Sequence, residues 1–253
     1  MKLPSVVAAI AFTAAALPAA AATAPDAAPN ANVAATCDSG QGLSPDQWIK
    51  ACSDALAGTK ANAERAITFY NRARAYRAKS DNTAALADYT RAIETMPDFA
   101  IAYQNRGVVY NAMGDRQRAI ADYSRAITLQ PNLAVAYNNR GVAQTASGNA
   151  QAAVQDFTKA IALEPDNAWA YNNRGDAYFR LHNWSAAIDD YGHALALKPD
   201  LAYALYARGA AKTYRGDRVS GRADMDAAMG LNARVAVEQA HDGITPVAMA
   251  SSN

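Results

Sequence analysis

The hexapeptide AYNNRG occurs twice in this chain, at Ala136–Gly141 and at Ala170–Gly175, and the two copies are 34 residues apart. A looser copy stands one such interval earlier, AYQNRG at Ala102–Gly107, and another stands one interval later, LYARG at Leu205–Gly209. FYNRA at Phe69–Ala73 fits the same frame. A fixed period of this length is typical of repeat architectures, so each recurring residue should have one task per repeat.

The recurring residues divide much of the chain into five units, 66–99, 100–133, 134–167, 168–201 and 202–235. Position 8 of each unit is Gly, or Ala73 in the first unit, and position 20 is Ala, or Gly221 in the fifth. Such small residues let two antiparallel helices approach closely, while large apolar residues at positions 4 and 24 fill the space beside the contact. Proline at position 32 of four units ends the second helix. Each unit is therefore predicted to be a helical hairpin.

The combination of a large apolar residue at position 4, glycine at 8, alanine at 20 and 27, and proline at 32 resembles the tetratricopeptide repeat. The resemblance covers 66–235, about two-thirds of the chain. It implies an all-α fold, a right-handed superhelical solenoid of about five hairpins with capping helices at both ends. It also implies that the first helices of the hairpins line a concave inner surface.

Both ends of such an array need a covering element, because a single hairpin cannot bury its apolar face alone. At 44–65 we predict a capping helix and a linker, since Ser44, Pro45 and Gln47 form the pattern of a helix start with a capping box. At 236–253 we predict the end of a second capping helix and a loose tail.

Residues 1–22 are typical of a cleaved secretory signal peptide: Lys2 precedes an apolar run, and three alanines before Thr23 supply a cleavage site. An uncleaved anchor helix is the alternative, which the short run and Pro18 disfavour. Residues 23–43 are predicted to be a disordered or loop-like lead-in. We therefore expect a periplasmic or secreted protein with no membrane insertion after signal cleavage.

Cys37 and Cys52 are the only cysteines, and an exported protein meets an oxidising compartment. We predict a disulfide between them that ties the start of the ordered region to the first capping helix. A CxxC redox motif is absent, and two cysteines with three scattered histidines are too few to suggest a zinc site. No metal, cofactor or nucleophile–base set is predicted. The balance of 24 basic and 23 acidic residues, with no basic run, disfavours nucleic acid as a partner.

Position 7 of every unit is arginine, where the tetratricopeptide repeat usually has leucine, and position 23 of every unit is aspartate. We favour five structural ion pairs that hold the two helices of each hairpin in register through charge-assisted contacts. A row of ligand-binding cations is the alternative. The arginines are Arg72, Arg106, Arg140, Arg174 and Arg208, and the aspartates are Asp88, Asp122, Asp156, Asp190 and Asp224.

Position 6 is asparagine in the first four units, and no recurring partner series is evident for it. On a helix this position shares a stripe with positions 2 and 9, which the resemblance places on the inner surface. A carboxamide offers an acceptor and two donors, which suits the backbone of an extended peptide. We predict a peptide-binding groove, although the amides can alternatively solvate it or bridge adjacent helices. The groove amides are Asn71, Asn105, Asn139, Asn173 and their neighbours Asn138 and Asn172.

The groove should be basic at its N-terminal end and aromatic at its C-terminal end. Position 2 carries no lysine, so the clamp that some members of the family use for a C-terminal carboxylate is not supported. Tyr206 and Tyr214 can equally pack against the C-terminal capping helix. The residues assigned to the two ends are Arg74 and Arg77, and then Trp169, Phe179 and Tyr203.

These features predict a non-enzymatic protein–protein interaction module, an adaptor in the cell envelope that binds extended peptide segments or partner proteins in its groove. A scaffold that assembles envelope enzymes through its convex face or its ends is the alternative within that class. Self-association through the fifth unit is a further expectation. An enzyme is the alternative of another class, which the lack of catalytic motifs disfavours.

Overall fold

The computed structural model describes residues 37–38, 40–59 and 61–244. The predicted signal peptide, most of the lead-in and the tail beyond residue 244 lie outside the described residues. The helices are α1 Pro45–Gly58, α2 Asn62–Ala78, α3 Asn82–Thr95, α4 Ala100–Ala112, α5 Arg116–Leu129, α6 Ala134–Ala146, α7 Ala150–Leu163, α8 Ala168–Arg180, α9 Trp184–Leu197, α10 Ala202–Tyr214, α11 Arg218–Leu231 and α12 Val235–His241.

Helices α2 to α11 form five consecutive antiparallel hairpins, one for each unit of the sequence. Each hairpin packs its two helices together, and the second helix of each packs against the first helix of the next. No strand occurs in the described ranges. The predicted all-α array of five helical hairpins is therefore confirmed.

A residue with a left-handed backbone ends the first helix of every hairpin. It stands at position 15 of each unit, and glycine fills that position in three units because it adopts a positive φ without steric cost. Aspartate or asparagine follows at position 16 and, in four units, accepts a hydrogen bond from a backbone N–H of the next helix. The left-handed residues are Ser80 (φ 65°), Gly114 (82°), Gly148 (84°), His182 (58°) and Gly216 (103°).

The close approach of the two helices explains the glycines at position 8. A Cβ added at Gly175 would lie 2.7 Å from the ring of Tyr191, and one added at Gly141 would lie 2.7 Å from the ring of Phe157. Both rings are completely buried against the small residues of the facing helix. The aromatic residue at position 24 therefore occupies the space that a side chain at position 8 would need.

Helix α1 caps the first hairpin. The Ser44 hydroxyl accepts from the Gln47 backbone N–H at 3.3 Å, and the side-chain Oε1 of Gln47 accepts from the Ser44 backbone N–H at 2.9 Å, so the predicted capping box is confirmed. The predicted Cys37–Cys52 disulfide is also formed, with both cysteines buried. The Trp48 indole N–H donates to the Cys37 carbonyl at 2.6 Å, which adds a second tie between this segment and α1.

The first helices of successive hairpins form the inner row of the array. Helix α4 contacts α6, α6 contacts α8, and α8 contacts α10, whereas comparable contacts between consecutive second helices are absent from the described part of the chain. A stack in which one row of helices is closer together than the other curves toward that row. The inner surface therefore belongs to α2, α4, α6, α8 and α10.

Helix α12 begins where a sixth unit would start and packs against α10 and α11. It has only 7 residues, after which Gly243 turns the chain with a φ of 80°. Ile244 then enters the buried cluster that also contains Phe179 and is itself 2% exposed. The C-terminal cap is thus a truncated first helix followed by a segment that folds back onto the array.

Candidate functional site

The arginines at position 7 and the aspartates at position 23 face each other in every hairpin. In the third hairpin, Arg140 Nε donates to Asp156 Oδ2 at 2.8 Å and Nη2 donates to Asp156 Oδ1 at 2.7 Å. The other four hairpins have the same two bonds, at 2.6–3.0 Å. These hydrogen bonds raise the pKa of Arg140, although burial opposes the shift. We call these five pairs the arginine–aspartate ladder.

In the first four hairpins, a third donor of the ladder arginine joins the hairpin to the element before it. Arg106 Nη1 donates to the Thr90 hydroxyl at 3.1 Å, Arg140 Nη1 to the Ser124 hydroxyl at 2.9 Å, and Arg174 Nη1 to the Thr158 hydroxyl at 3.1 Å. Arg72 Nη1 likewise donates to Ser53 of α1 at 3.0 Å. Sequence reasoning missed these hydroxyls, although a Ser or Thr recurs at position 25 of the first three units. The guanidinium groups therefore stabilise both the hairpins and the stacking between them.

The amides of the inner row also join neighbouring hairpins. Asn173 Nδ2 donates to Asn138 Oδ1 at 3.1 Å, and Asn105 Nδ2 donates to the Tyr70 hydroxyl at 3.2 Å. In both pairs, position 6 of one unit reaches position 5 of the unit before it. A recurring partner series therefore does exist, which corrects the prediction that the asparagines have none.

Asn105 and Asn139 differ in how much hydrogen-bonding capacity they leave for a ligand. Asn105 also donates to the Ile101 carbonyl at 2.9 Å and accepts from Arg77 Nη1 at 3.2 Å, so its carboxamide has few hydrogen-bonding groups left for a ligand. Asn139 is half-buried on α6, and its carboxamide makes no hydrogen bond to any residue that the structure describes. The side-chain Oε1 of Gln104, at position 5 of the preceding unit, is also buried without a partner among the described residues. Polar capacity is therefore unused in the middle of the inner surface.

Two predicted groove amides are buried, and their assignment to an open groove was wrong. Asn71 is 4% exposed and donates to Asp38 Oδ1 at 3.1 Å, because the segment held by the disulfide covers it. Asn172 is 5% exposed and donates to Asp176 Oδ2 at 3.3 Å, while its own Oδ1 is buried and has no partner in the part of the chain that the structure describes.

The predicted aromatic end of the groove is mostly closed, which corrects the assignment of two further residues. Phe179 is buried and packs edge-on against Trp184, with 5.0 Å between ring centroids. The Tyr203 hydroxyl donates to the Glu238 carboxylate of α12 at 2.8 Å, so that helix holds it. Trp169 remains half-buried, with the Lys198 ammonium 5.5 Å from the centre of its ring.

The C-terminal segment covers the inner face of α10. Ala207 and Ala210, two positions that this face would otherwise expose, are completely buried. The Arg180 guanidinium donates to the Asp242 carbonyl, and Gln239 Nε2 donates to the Tyr203 carbonyl at 3.5 Å. The C-terminal end of the groove is therefore closed, and its accessible part extends from the end of α2 over α4 and α6 to the beginning of α8.

Asp176 is a carboxylate placed beneath this cover. Its pKa is raised to about 7, chiefly by burial and to a smaller extent by the nearby charge of Asp242. The Tyr191 hydroxyl, which donates to Asp176 Oδ1 at 2.8 Å, and the charge of Arg180 oppose this shift. The ordinary pKa of 3.8 applies in the unfolded chain. At pH values between these two pKa values, the folded protein binds one proton more than the unfolded chain. Stability is therefore lost as the pH rises from about 4 through 7.

We expect Asp176→Asn to raise the free energy of unfolding at pH 8 by about 1–2 kcal/mol and to have a much smaller effect at pH 5. The new amide keeps an acceptor for Tyr191 and can donate to the unpartnered Oδ1 of Asn172. Urea unfolding at both pH values measures the difference. Asp200→Asn, at an exposed position, is the control, and an equal gain from Asp176→Asn at pH 5 and pH 8 would contradict the assignment.

The N-terminal end of the inner surface is basic and contains a small cavity. The Arg74 guanidinium lies 5.1 Å from the centre of the Trp48 ring and 5.8 Å from that of Tyr70, so the two rings fix it in place. Neither Arg74 nor Arg77 forms a salt bridge with a carboxylate of the described residues. With Ala78 they line a cavity of about 270 Å³.

Comparison with known proteins identifies the repeat. The sequence matches the family model described as TPR repeat at 73–114 and 143–182, and the one described as tetratricopeptide repeat at 100–133 and 168–201. The chain therefore contains tetratricopeptide repeats. Such repeats are typical of non-catalytic scaffolds for protein–protein interaction. No curated protein matches the sequence at a significant level.

Solved structures of repeat proteins share the fold. The crystal structure of MamA matches with a TM-score of 0.61 at 25% identity, over 64% of this chain and 95% of that chain. YrrB, described as a TPR protein with an unusual peptide-binding site, has a TM-score of 0.64 at 20% identity, over 76% and 99%. A tetratricopeptide repeat protein from Parabacteroides merdae has a TM-score of 0.66 at 17% identity, over 82% and 84%.

The described residues also bear on membrane insertion and on metal binding. No helix there has both the length and the apolar content needed to cross a bilayer. No group of three or more His, Cys, Asp and Glu side chains in the same ranges is arranged to hold a metal ion.

Proposed function

We propose that the open middle of the inner surface binds an extended segment of a partner protein and that the protein works as a non-enzymatic adaptor. The observation that carries this proposal is the half-buried carboxamide of Asn139, which has no partner among the described residues and stands next to the partly committed amides of Asn138 and Asn173. Carboxamides can pair with the N–H and C=O groups of a bound backbone without reading its side chains.

Side-chain selection would come from the surroundings of these amides. Val135 is 36% exposed on the same surface, and Val108 and Val142 are partly exposed at position 9, so apolar guest residues find contacts there. At the N-terminal end, the guanidinium groups of Arg74 and Arg77 have no carboxylate partner within the described ranges and attract acidic residues of the bound segment. The groove is already formed by rigid helices, so binding costs little ordering of the receptor. A segment with acidic residues at one end and apolar residues beyond them fits best.

The disulfide supports a location outside the cytosol, because such bonds persist in oxidising compartments. We accordingly propose a cell-envelope adaptor, periplasmic or secreted, that meets its partner after export. Recruitment of envelope enzymes through the outer helices or through the ends of the array, and self-association through the fifth repeat, are the competing modes.

Site-specific crosslinking tests which surface works. A photoreactive amino acid at Val135 on the inner surface should capture a partner in intact cell envelopes, whereas the same amino acid at Lys159, exposed on the second helix of that hairpin, should not. Capture from Lys159 and not from Val135 would favour the outer-surface scaffold. Sedimentation of the purified protein measures self-association separately.

Asn139→Ala should weaken binding of the captured segment about tenfold, because two backbone hydrogen bonds of roughly 0.5–1.5 kcal/mol each are lost. Affinity is measured by titration with a synthetic peptide of the crosslinked sequence. Gln151→Ala, an amide removed from an exposed position of α7, is the matched control and should leave affinity unchanged. Unchanged affinity in Asn139→Ala would contradict the proposed groove.

A further inference from the structure

A cavity of about 490 Å³ opens between α9 and α10, and its lining belongs to the side of the solenoid that faces away from the groove. Successive helix residues are rotated by about 100°, so Arg208 and Lys212 lie on the opposite side of α10 from the covered Ala210. The cavity is lined by Ile188, Asp189, Gly192, His193, Arg208 and Lys212.

Two departures from the repeat pattern create this cavity. Position 25 is Ser or Thr in the first three units and Gly192 in the fourth, so one side chain is missing from the wall. Position 11 is tyrosine in three units and Lys212 in the fifth, so a cation replaces an aromatic ring. Both departures meet at the same junction, because α9 packs directly against α10.

The same departures leave hydrogen-bond donors unused. Arg208 Nε and Nη2 donate to Asp224 at 2.7 and 2.9 Å. In the four preceding pairs of the ladder, Nη1 of the arginine donates to a hydroxyl, but Nη1 of Arg208 has no acceptor among the described residues. Lys212 Nζ contacts Asp224 Oδ2 at 2.8 Å, and its ammonium group has two further N–H donors. The two side chains are only 24% and 18% exposed. Half-buried cations with spare donors therefore line the cavity.

We propose that this cavity binds a carboxylate group. One carboxylate oxygen accepts the hydrogen bond from Arg208 Nη1, as a Ser or Thr hydroxyl does for the other four ladder arginines. Lys212 donates to the second oxygen or to the same one, and charge-assisted bonds of this kind are the stronger ones in proteins. His193, which stacks on Tyr171 with 5.3 Å between ring centroids, forms part of the rim.

The charges of the cavity set the class of ligand. Asp224 already neutralises one of the two cations, and its pKa lies below the ordinary value because the bonds from Arg208 and Lys212 outweigh the effect of burial. Asp189 adds a carboxylate to the lining. A monoanionic group is therefore tolerated better than a dianion such as phosphate. The carboxylate belongs either to an acidic side chain of a partner protein or to a free small molecule.

Titration of the full-length protein with acetate, propionate and the blocked peptide acetyl-Gly-Glu-Gly-amide tests the proposal. We expect saturable shifts of the Gly192 amide and Arg208 Nε–H nuclear magnetic resonances with all three probes if a partner side chain is the natural ligand. Shifts with acetate and propionate alone would identify a free carboxylate. Either outcome supports the site. No saturable shift up to about 50 mM of any probe, or tighter binding of inorganic phosphate than of acetate, would overturn it.

Gly192→Ser supplies the missing hydroxyl to Arg208 and should reduce the affinity for acetate at least tenfold. A Cβ at this position meets no atom within 4 Å, so the variant is expected to fold. Gly230→Ser, which is equally free of contacts on α11, is the matched control and should bind as the unchanged protein does. Asp189→Asn should tighten binding by removing a repelling charge. Equal affinity in Gly192→Ser and Gly230→Ser would place the binding elsewhere and contradict the proposal.

Discussion

Arg140→Met should lower the free energy of unfolding by about 3 kcal/mol, because it leaves the Asp156 carboxylate stranded against the core. The Asp156 side chain is 7% exposed, and both of its hydrogen bonds come from Arg140. Methionine keeps most of the aliphatic packing, so the loss reports the unpaired charge. Asp88 is less suited to this experiment, because Arg91 also contacts it at 2.9 Å.

Arg222→Met is the matched control for this prediction. The Arg222–Asp226 pair has a similar distance, 2.9 Å, but its side chains are 60% and 51% exposed. Exposed pairs of this kind contribute about 0–1 kcal/mol, so the same substitution should have little effect there. The double variant Arg140→Met/Asp156→Leu should recover most of the lost stability, because no buried charge remains. Urea unfolding of all the variants measures these values, and equal losses in Arg140→Met and Arg222→Met would contradict a structural role for the ladder.

The hairpins could be predicted because their determinants recur. A residue type that appears at the same position of every unit, such as the arginine at position 7, meets the same kind of partner each time. The hydroxyl groups of Thr90, Ser124 and Thr158 follow the same logic and were visible at position 25. Their role is not evident within one hairpin, because each hydroxyl accepts from an arginine of the next hairpin.

The amides of the inner surface were harder to interpret for a related reason. The partners of Asn105 and Asn173 lie 35 residues earlier in the chain, which is one residue more than the repeat length. The extra residue arises because position 6 of one first helix contacts position 5, and not position 6, of the first helix before it. The cover over α10 could not be inferred from the repeat at all. Residues after 235 depart from the period, and only the fold shows that Ile244 returns to the buried cluster around Phe179.

Adding a methyl group at position 8 should destabilise the fifth hairpin more than any other. A Cβ at Gly209 would lie 2.6 Å from the Gly221 carbonyl oxygen and 2.7 Å from Met225 Cγ. In the other hairpins the obstacle is chiefly an aromatic ring, and the first hairpin accommodates Ala73 at this position beside Tyr89. A ring can shift by a few tenths of an ångström, but a backbone carbonyl moves only if α10 and α11 separate.

Gly209→Ala should therefore lower the free energy of unfolding by about 2 kcal/mol, although alanine is the better helix former by about 1 kcal/mol. Gly230→Ala, on the same pair of helices and free of contacts within 4 Å, is the matched control and should increase stability by about 0.5–1 kcal/mol. The opposite signs of the two changes separate steric conflict from helix propensity. Urea unfolding provides both values.

Separation of α10 from α11 has a consequence for the groove, because α12 packs against both helices and holds Tyr203 through Glu238. In Gly209→Ala we expect faster hydrogen exchange of the α12 backbone amides, together with faster exchange in α10, while the amides of α4 and α6 keep their protection. In Gly230→Ala the exchange of α12 should not change. If Gly209→Ala were as stable as Gly230→Ala, or if its α12 amides kept full protection, the tight contact between the last two helices would not be what holds the C-terminal cover in place.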